Sequence, residues 1–254
     1  MLGAVFNGDA KELAELIRQD PGFDVNVDQN DDGNTLLHFA CLGSKRSAVI
    51  PLLLAYPGID VNLKDGNGRT PFYLACYYGC ISCIREMLKD SRVNLNEPTV
   101  DGYTPLWCTA FNGHLDIIRW WIASGREMDL GKPGDIYKTD AMGAAKNRDR
   151  TEVVTLLERF QSNPTETEHD VRVELGLLDE VAAEVFALVV FVSDELLKIE
   201  DTPPSPAARY FSIAAQLPLE LQMVLCFRQV GSAKEIIQGK ESEVAFKELA
   251  RKLW

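Results

Sequence analysis

Over the first 160 residues, apolar positions fall into paired short clusters separated by polar links, and the pairs recur at a nearly fixed spacing. The first cluster of each pair follows the string Gly-x-Thr-x-x-x-x-Ala, at residues 33–40, 68–75, 102–109 and, with drift, 137–144. Its threonines Thr35, Thr70, Thr104 and Thr139 lie 35, 34 and 35 residues apart. The second cluster covers 48–54, 81–88, 115–122 and 153–157, and residues 4–8 and 23–26 repeat the later half of the unit ahead of the first copy.

Elementary chemistry turns this pattern into helix pairs. A threonine before an apolar run caps free amides, and the Pro71 and Pro105 that follow fit a first helical turn, where no amide partner is needed. Small residues further on let a neighbouring helix pack close. Gly8, Gly79 and Gly113 then allow the chain to reverse into a second, antiparallel helix. The Asp/Asn-rich links, such as Asp60-Val61-Asn62, suit tight turns. One such unit is too small to bury its own apolar face, so the units are expected to stack.

At these residues the chain resembles the ankyrin-repeat family, whose signature Thr-Pro-Leu-His-x-Ala recurs at about 33 residues. The likeness is carried by residues 70–75 and 104–109, then 35–40, and is weakest at 139–144, where Asp140 stands for Pro and Met142 for His. It implies an all-α fold with an ankyrin solenoid over 1–160, made of an N-terminal half-repeat and four repeats, the last degenerate. The histidine slot holds His38, Tyr73, Trp107 and Met142, which predicts a weakened hydrogen bond in three copies. In this family the turn before the threonine and the two positions after the small-residue pair line the concave face. Those slots give Phe6-Asn7, Leu42-Gly43, Tyr77-Tyr78, Phe111-Asn112 and Lys146-Asn147, with Asn34, Arg69, Tyr103 and Lys138 at the turns. Aromatic residues and arginine anchor interfaces, so Arg69, Tyr77, Tyr78, Tyr103, Phe111 and Asn112 are the candidate partner-binding residues. The alternative for the first member of each pair is half-buried packing.

After Phe160 the period stops. Residues 161–170 are polar, contain Pro164 and read as a linker; 171–254 reads as a small helical C-terminal domain. Val173, Leu177, Val181, Val185 and Leu188 share one helical face, widened by Leu178, Ala182 and Val189. Three further helices are expected near 207–215, 218–229 and 243–253. Leu217-Pro218-Leu219-Glu220-Leu221 before an apolar helix resembles the opening of an F-box, which docks substrate receptors onto ubiquitin-ligase scaffolds. That resemblance makes Leu217, Pro218 and Leu221 candidate docking residues. The plain alternative is a proline-initiated core helix.

Charge and composition narrow the function. The net charge is −12, about −4 before residue 151 and −8 after it, which disfavours nucleic acid as a partner. The most apolar run, 181–192, is too short for a membrane span of about 20 residues. Six cysteines are too few for a disulfide scaffold, and with no apolar leader they point to a reducing compartment, the cytoplasm or alternatively the nucleus. The three histidines offer no catalytic set: His38 and His114 fall in structural slots and His169 in the polar stretch. Cys76, Cys80 and Cys83 resemble metal spacing, but Cys41, Cys76, Ala110 and Ala145 form one ladder of small packed residues. The expectation is therefore a monomeric protein-binding adaptor or scaffold, with no cofactor, metal or small-molecule substrate. The alternatives are a ubiquitin-ligase substrate receptor and an enzyme with its site in the helical tail.

Overall fold

The computed structural model describes residues 1–131, 139–193, 210–211, 213–230 and 245, and all regular structure among them is helical. The chain divides into two compact units, Met1–Val171 and Arg172–Trp254. In the first, helices come in pairs: α1 (Leu2–Asn7) with α2 (Ala10–Gln19), α5 (Pro71–Tyr77) with α6 (Ile81–Leu88), α7 (Pro105–Asn112) with α8 (Leu115–Ala123), and α9 (Ala141–Asn147) with α10 (Thr151–Ser162). Repeat one pairs α3 (Leu36–Ala40) with a 3-10 turn (Ser44–Val49) running into α4 (Ile50–Leu54). First helices pack on first helices down the stack, and α4, α6, α8 and α10 form the second row.

The caps explain where the first helices begin. Thr70 and Thr104 accept from the Tyr73 and Trp107 amides at 3.1 and 3.2 Å. In repeat four the cap is Asp140, which accepts from the Gly143 amide at 2.7 Å, and the Thr139 hydroxyl is buried without a partner. The caps are thus 35, 34 and 36 residues apart, and the register of repeat four slips by one. The expected ladder is corrected accordingly. Ala145 aligns with Ala75 and Thr109, and Asp149, at φ 55°, occupies the left-handed position that Gly79 and Gly113 fill elsewhere.

The links hold neighbouring repeats together. Asn26 donates to the Gly58 carbonyl and accepts from the Asp60 amide, both at 2.9 Å. Asn62 bridges Arg92 and Asn94, and Asn96 bridges Glu127 and Asp129, in the same way. Residues past the second helices reach back one repeat. Tyr56 donates to the Phe23 carbonyl, Arg92 to Leu54, and Arg126 to Asp90 and Val93.

His38 ties repeat one to repeat two. Its Nδ1 accepts from the Thr35 amide (3.1 Å), which leaves Nε2–H to donate to the Arg69 carbonyl (3.1 Å). The weakening expected at this slot does not extend to Trp107, whose Nε1–H donates to the Thr139 carbonyl (3.0 Å) and replaces the imidazole. Burial lowers the His38 pKa, outweighing the opposite effect of the Arg69 carbonyl. The unfolded histidine titrates near about 6.5. As pH falls through that value the unfolded chain takes up a proton that the folded site resists, so stability is expected to fall. Urea midpoints on either side of about pH 6.5 should fall less steeply for His38→Gln than for the parent.

Cys80 and Cys83 are joined by a disulfide, which the reading of a reducing compartment did not anticipate, with Cα atoms 5.4 Å apart in the first turn of α6. The bridge ties one turn and is no scaffold. Cys41, Cys76, Cys108 and Cys226 are free and buried, and burial pushes the Cys76 thiol up to about 12.

Two further expectations are corrected after Phe160. The stretch 161–170 is not a linker: α10 runs through Ser162 and α11 spans Pro164–Glu174. The Asn163 side chain accepts from the Glu166 amide (3.3 Å), so Asn163-Pro164 is a helix start and not a break. Gly176 (φ 72°) then ends α11 and resets the helical phase. Val173 and Val181 are therefore 54% and 43% exposed, and α12 (Leu177–Ser193) buries Leu178, Ala182, Phe186 and Val189. With Ala214, Cys226 and Phe227 the last three of these line the core of the second unit, where α13 (Leu219–Gln229) supplies the cysteine and phenylalanine. The helix expected at 243–253 lies outside the described residues, apart from Ala245, which is helical. No helix among the described residues is long and apolar enough to cross a membrane.

Candidate protein-binding face

The helix pairs other than that of repeat one each close with one backbone bond from the residue opening the second helix to a small residue of the first. These are Asp9 to Ala4 (2.9 Å), Cys80 to Ala75 (2.9 Å), His114 to Thr109 (3.0 Å) and Arg150 to Ala145 (3.0 Å). The bonds set a common register, in which Phe6-Asn7, Tyr77-Tyr78, Phe111-Asn112 and Asn147-Arg148 are equivalent. Repeat four therefore presents Asn147 and Arg148, and the expected pair Lys146-Asn147 is corrected by one. Repeat one, counted from Thr35, presents Leu42-Gly43 before its 3-10 turn.

Tyr77 and Tyr78 are 48% and 53% exposed, and their rings meet edge to face at 5.1 Å. The backbone beneath them is held firmly: the His114 ring contacts the Tyr77 carbonyl (3.2 Å) and packs where any Cβ on Gly79 would sit. Tyr103 is buried, contrary to a place on the surface. Its ring lies 4.3 Å from Trp107, which stacks at 4.9 Å on Phe111, and the Arg148 guanidinium covers Phe111 at 4.1 Å. The reason is helical spacing: Tyr103, Trp107 and Phe111 are four residues apart and share one face of α7 and its lead-in. Tyr103 supports this column from below. Phe111 and Asn112 are half-buried, and the Asn112 amide nitrogen is buried without a partner.

Arg69 is clamped by the buried Asp65 carboxylate, with Nε and a terminal nitrogen each at 2.6 Å, and its guanidinium stays partly exposed. Trp121 is fully buried, edge-on to Phe72 at 5.2 Å, whereas Trp120 is half-buried in the second-helix row beneath Arg85 at 4.3 Å. Lys138, the turn-slot residue of repeat four, lies outside the described residues. In the second unit Pro218 is exposed, Leu221 is 52% exposed and Leu217 is half-buried, with the Leu217 carbonyl accepting from Gln222 (2.9 Å). Sequence reasoning missed Arg46, and missed that Arg148 is laid on a phenylalanine ring as Arg46 is; each covers a ring of a neighbouring repeat, so only the register between repeats reveals the pairing.

Helix pairs stacked in register by capped starts, side-chain bridges and left-handed turns define a helical-repeat interaction protein. The chain belongs to the ankyrin-repeat family: the family model for ankyrin repeats (3 copies) matches residues 1–97 and 43–132, more than half of the chain. The chain is 43% identical over 88 residues to the SMC5-SMC6 complex localization factor protein 1 of Homo sapiens, covering 35% of this chain and 8% of that protein. It is 33% identical over 97 residues to the neurogenic locus Notch protein of Drosophila melanogaster, 38% of this chain and 3% of that one. With NF-kappa-B inhibitor alpha of Homo sapiens it shares 26% identity over 136 residues, 51% of this chain and 42% of the relative. The chain thus spans less than half the length of each of these relatives. The ankyrin repeats make it a protein–protein interaction module.

Proposed function

We propose that the chain is an adaptor or scaffold that binds another protein across the first-helix face of repeats two and three, the concave face in this family. The observation that carries this reading is the exposure of Tyr77 and Tyr78 on a rigid backbone beside the half-buried Phe111. A soluble surface ordinarily breaks up contiguous aromatic area of this kind unless it is used. Relatives named as a complex localization factor and as an inhibitor accord with action through protein contacts. The test compares faces: a partner selected with the full chain is challenged with folded first-helix-face and second-helix-face variants. Loss of binding confined to the second-helix face would overturn the reading.

A second reading is supported by the exposure of Pro218, Leu219 and Leu221 on the second unit. In it the F-box-like segment docks a ubiquitin-ligase scaffold and the repeats recruit the substrate. Leu221→Arg is then expected to abolish scaffold capture with the melting temperature nearly unchanged. A large loss of stability would assign Leu221 to packing instead.

A further inference from the structure

Phe6 and Phe111 occupy the same slot of the repeat, three units apart, with Leu42 and Tyr77 in that slot between them. Each phenylalanine carries an arginine from the following repeat across its face: Arg46 at 4.5 Å and Arg148 at 4.1 Å. Arg46 is further fixed by a bond to the Phe39 carbonyl (3.1 Å). Among the described residues neither guanidinium forms an ion pair, whereas Arg18, Arg69, Arg92, Arg119 and Arg159 all do. Stacking occupies the face of a guanidinium and leaves its in-plane N–H edge for the fork geometry that a carboxylate matches; Arg46 spends one terminal nitrogen on Phe39 and keeps the other donors of that edge. A ring-held arginine is also preorganised, so less side-chain freedom is lost when that edge is used.

We propose that this row is a two-ended clasp for an extended segment of a partner protein that carries one carboxylate at each end and apolar side chains between. Resting on the reading of the first-helix face as the binding surface, the clasp adds the chemistry of the occupant. Packed helices lie about 10 Å apart, so three steps span about 30 Å. An extended chain rises about 3.3 Å per residue, which places the two acidic side chains about nine residues apart. Leu42 and Tyr77 meet the apolar residues, and Arg46 and Arg148 receive the carboxylates. The net charge of −12 does not preclude an acidic ligand, because at physiological salt the Debye length is about 8 Å and the nearest cations dominate.

The probes are fluorescein-labelled synthetic peptides: an apolar-rich strand with two glutamates about nine residues apart, the same strand with both changed to glutamine, and one with the glutamates half that distance apart. Anisotropy titrations with the full chain are expected to rank the first peptide highest. Arg46→Gln and Arg148→Gln should each weaken it by about fivefold, the upper range for an exposed ion pair, and should leave the glutamine peptide unaffected. Equal binding of the glutamate and glutamine peptides, with Tyr77→Ala weakening both, overturns the clasp but leaves the face as a binding surface. Equal binding of the two glutamate spacings, or no binding of any peptide, overturns the clasp as well. The face itself is tested separately with the selected partner, so the two readings fail by different results.

Discussion

Trp121→Ala is expected to cost about 3–5 kcal/mol of stability, the usual range for emptying a buried large aromatic site. Trp121 is fully buried, its ring meets Phe72 of the preceding repeat edge-on at 5.2 Å, and its Nε1–H donates to the Glu127 carbonyl at 3.3 Å. The substitution removes the ring, opens a cavity between repeats two and three and takes one donor from the Glu127 carbonyl, which keeps the Asn96 amide. Because each repeat is stabilised mainly by its neighbours, the damage should appear as lost coupling as well as a lower midpoint. Urea unfolding followed by circular dichroism is expected to show an earlier and broader transition. Trp120→Ala is the control. It forfeits a cation–π contact with Arg85 and a half-buried ring, for which about 1 kcal/mol is the appropriate scale. Equal losses for the two variants would contradict the packing described for α8.

The contrast between adjacent tryptophans also shows what the sequence reveals and what it conceals. Signals confined to a few neighbouring residues were legible. Thr70-Pro71 and Thr104-Pro105 start helices because cap and first turn are local, and α6 and α8 follow from their apolar spacing. Repeat four misled because Thr139 and Asp140 can both cap, and the choice is made one slot along. Asp149 tolerates the left-handed turn at φ 55°, so no glycine marks the register. The same ambiguity hid α11, since a proline preceded by Asn163 starts a helix as readily as it ends one. Contacts between repeats were less visible still. The asparagines of the links read as turn formers, and their bridging role needs the next repeat in place. Tyr103 looked like a surface anchor because its slot is exposed in the family pattern. Trp107 and Phe111 at helical spacing draw it into a buried column instead. For the candidate face, then, the slots were readable, and the burial of individual side chains and the arginines laid over them were not.

Tyr78→Ala and Phe111→Ala are each expected to weaken a protein partner by about 2 kcal/mol, or about thirtyfold in affinity, the scale of an interface anchor. The two positions test different parts of the face. Tyr78 is 53% exposed with its ring edge-on to Tyr77, so truncating it removes contact area while disturbing little of the core. Phe111 is the outer ring of the column on Trp107 and the platform for Arg148, and its loss removes an apolar contact and frees that guanidinium from its fixed position. Phe111→Ala should therefore lower the melting temperature more than Tyr78→Ala, and only binding measured well below both midpoints compares them fairly. Isothermal titration of the folded variants against a partner selected with the full chain supplies the numbers. Trp120→Ala, on the second-helix row, should bind as the parent does. The result that defeats this assignment is unchanged affinity for both Tyr78→Ala and Phe111→Ala in folded protein. The binding surface would then have to be sought elsewhere, first around the exposed Leu219 and Leu221 of the second unit.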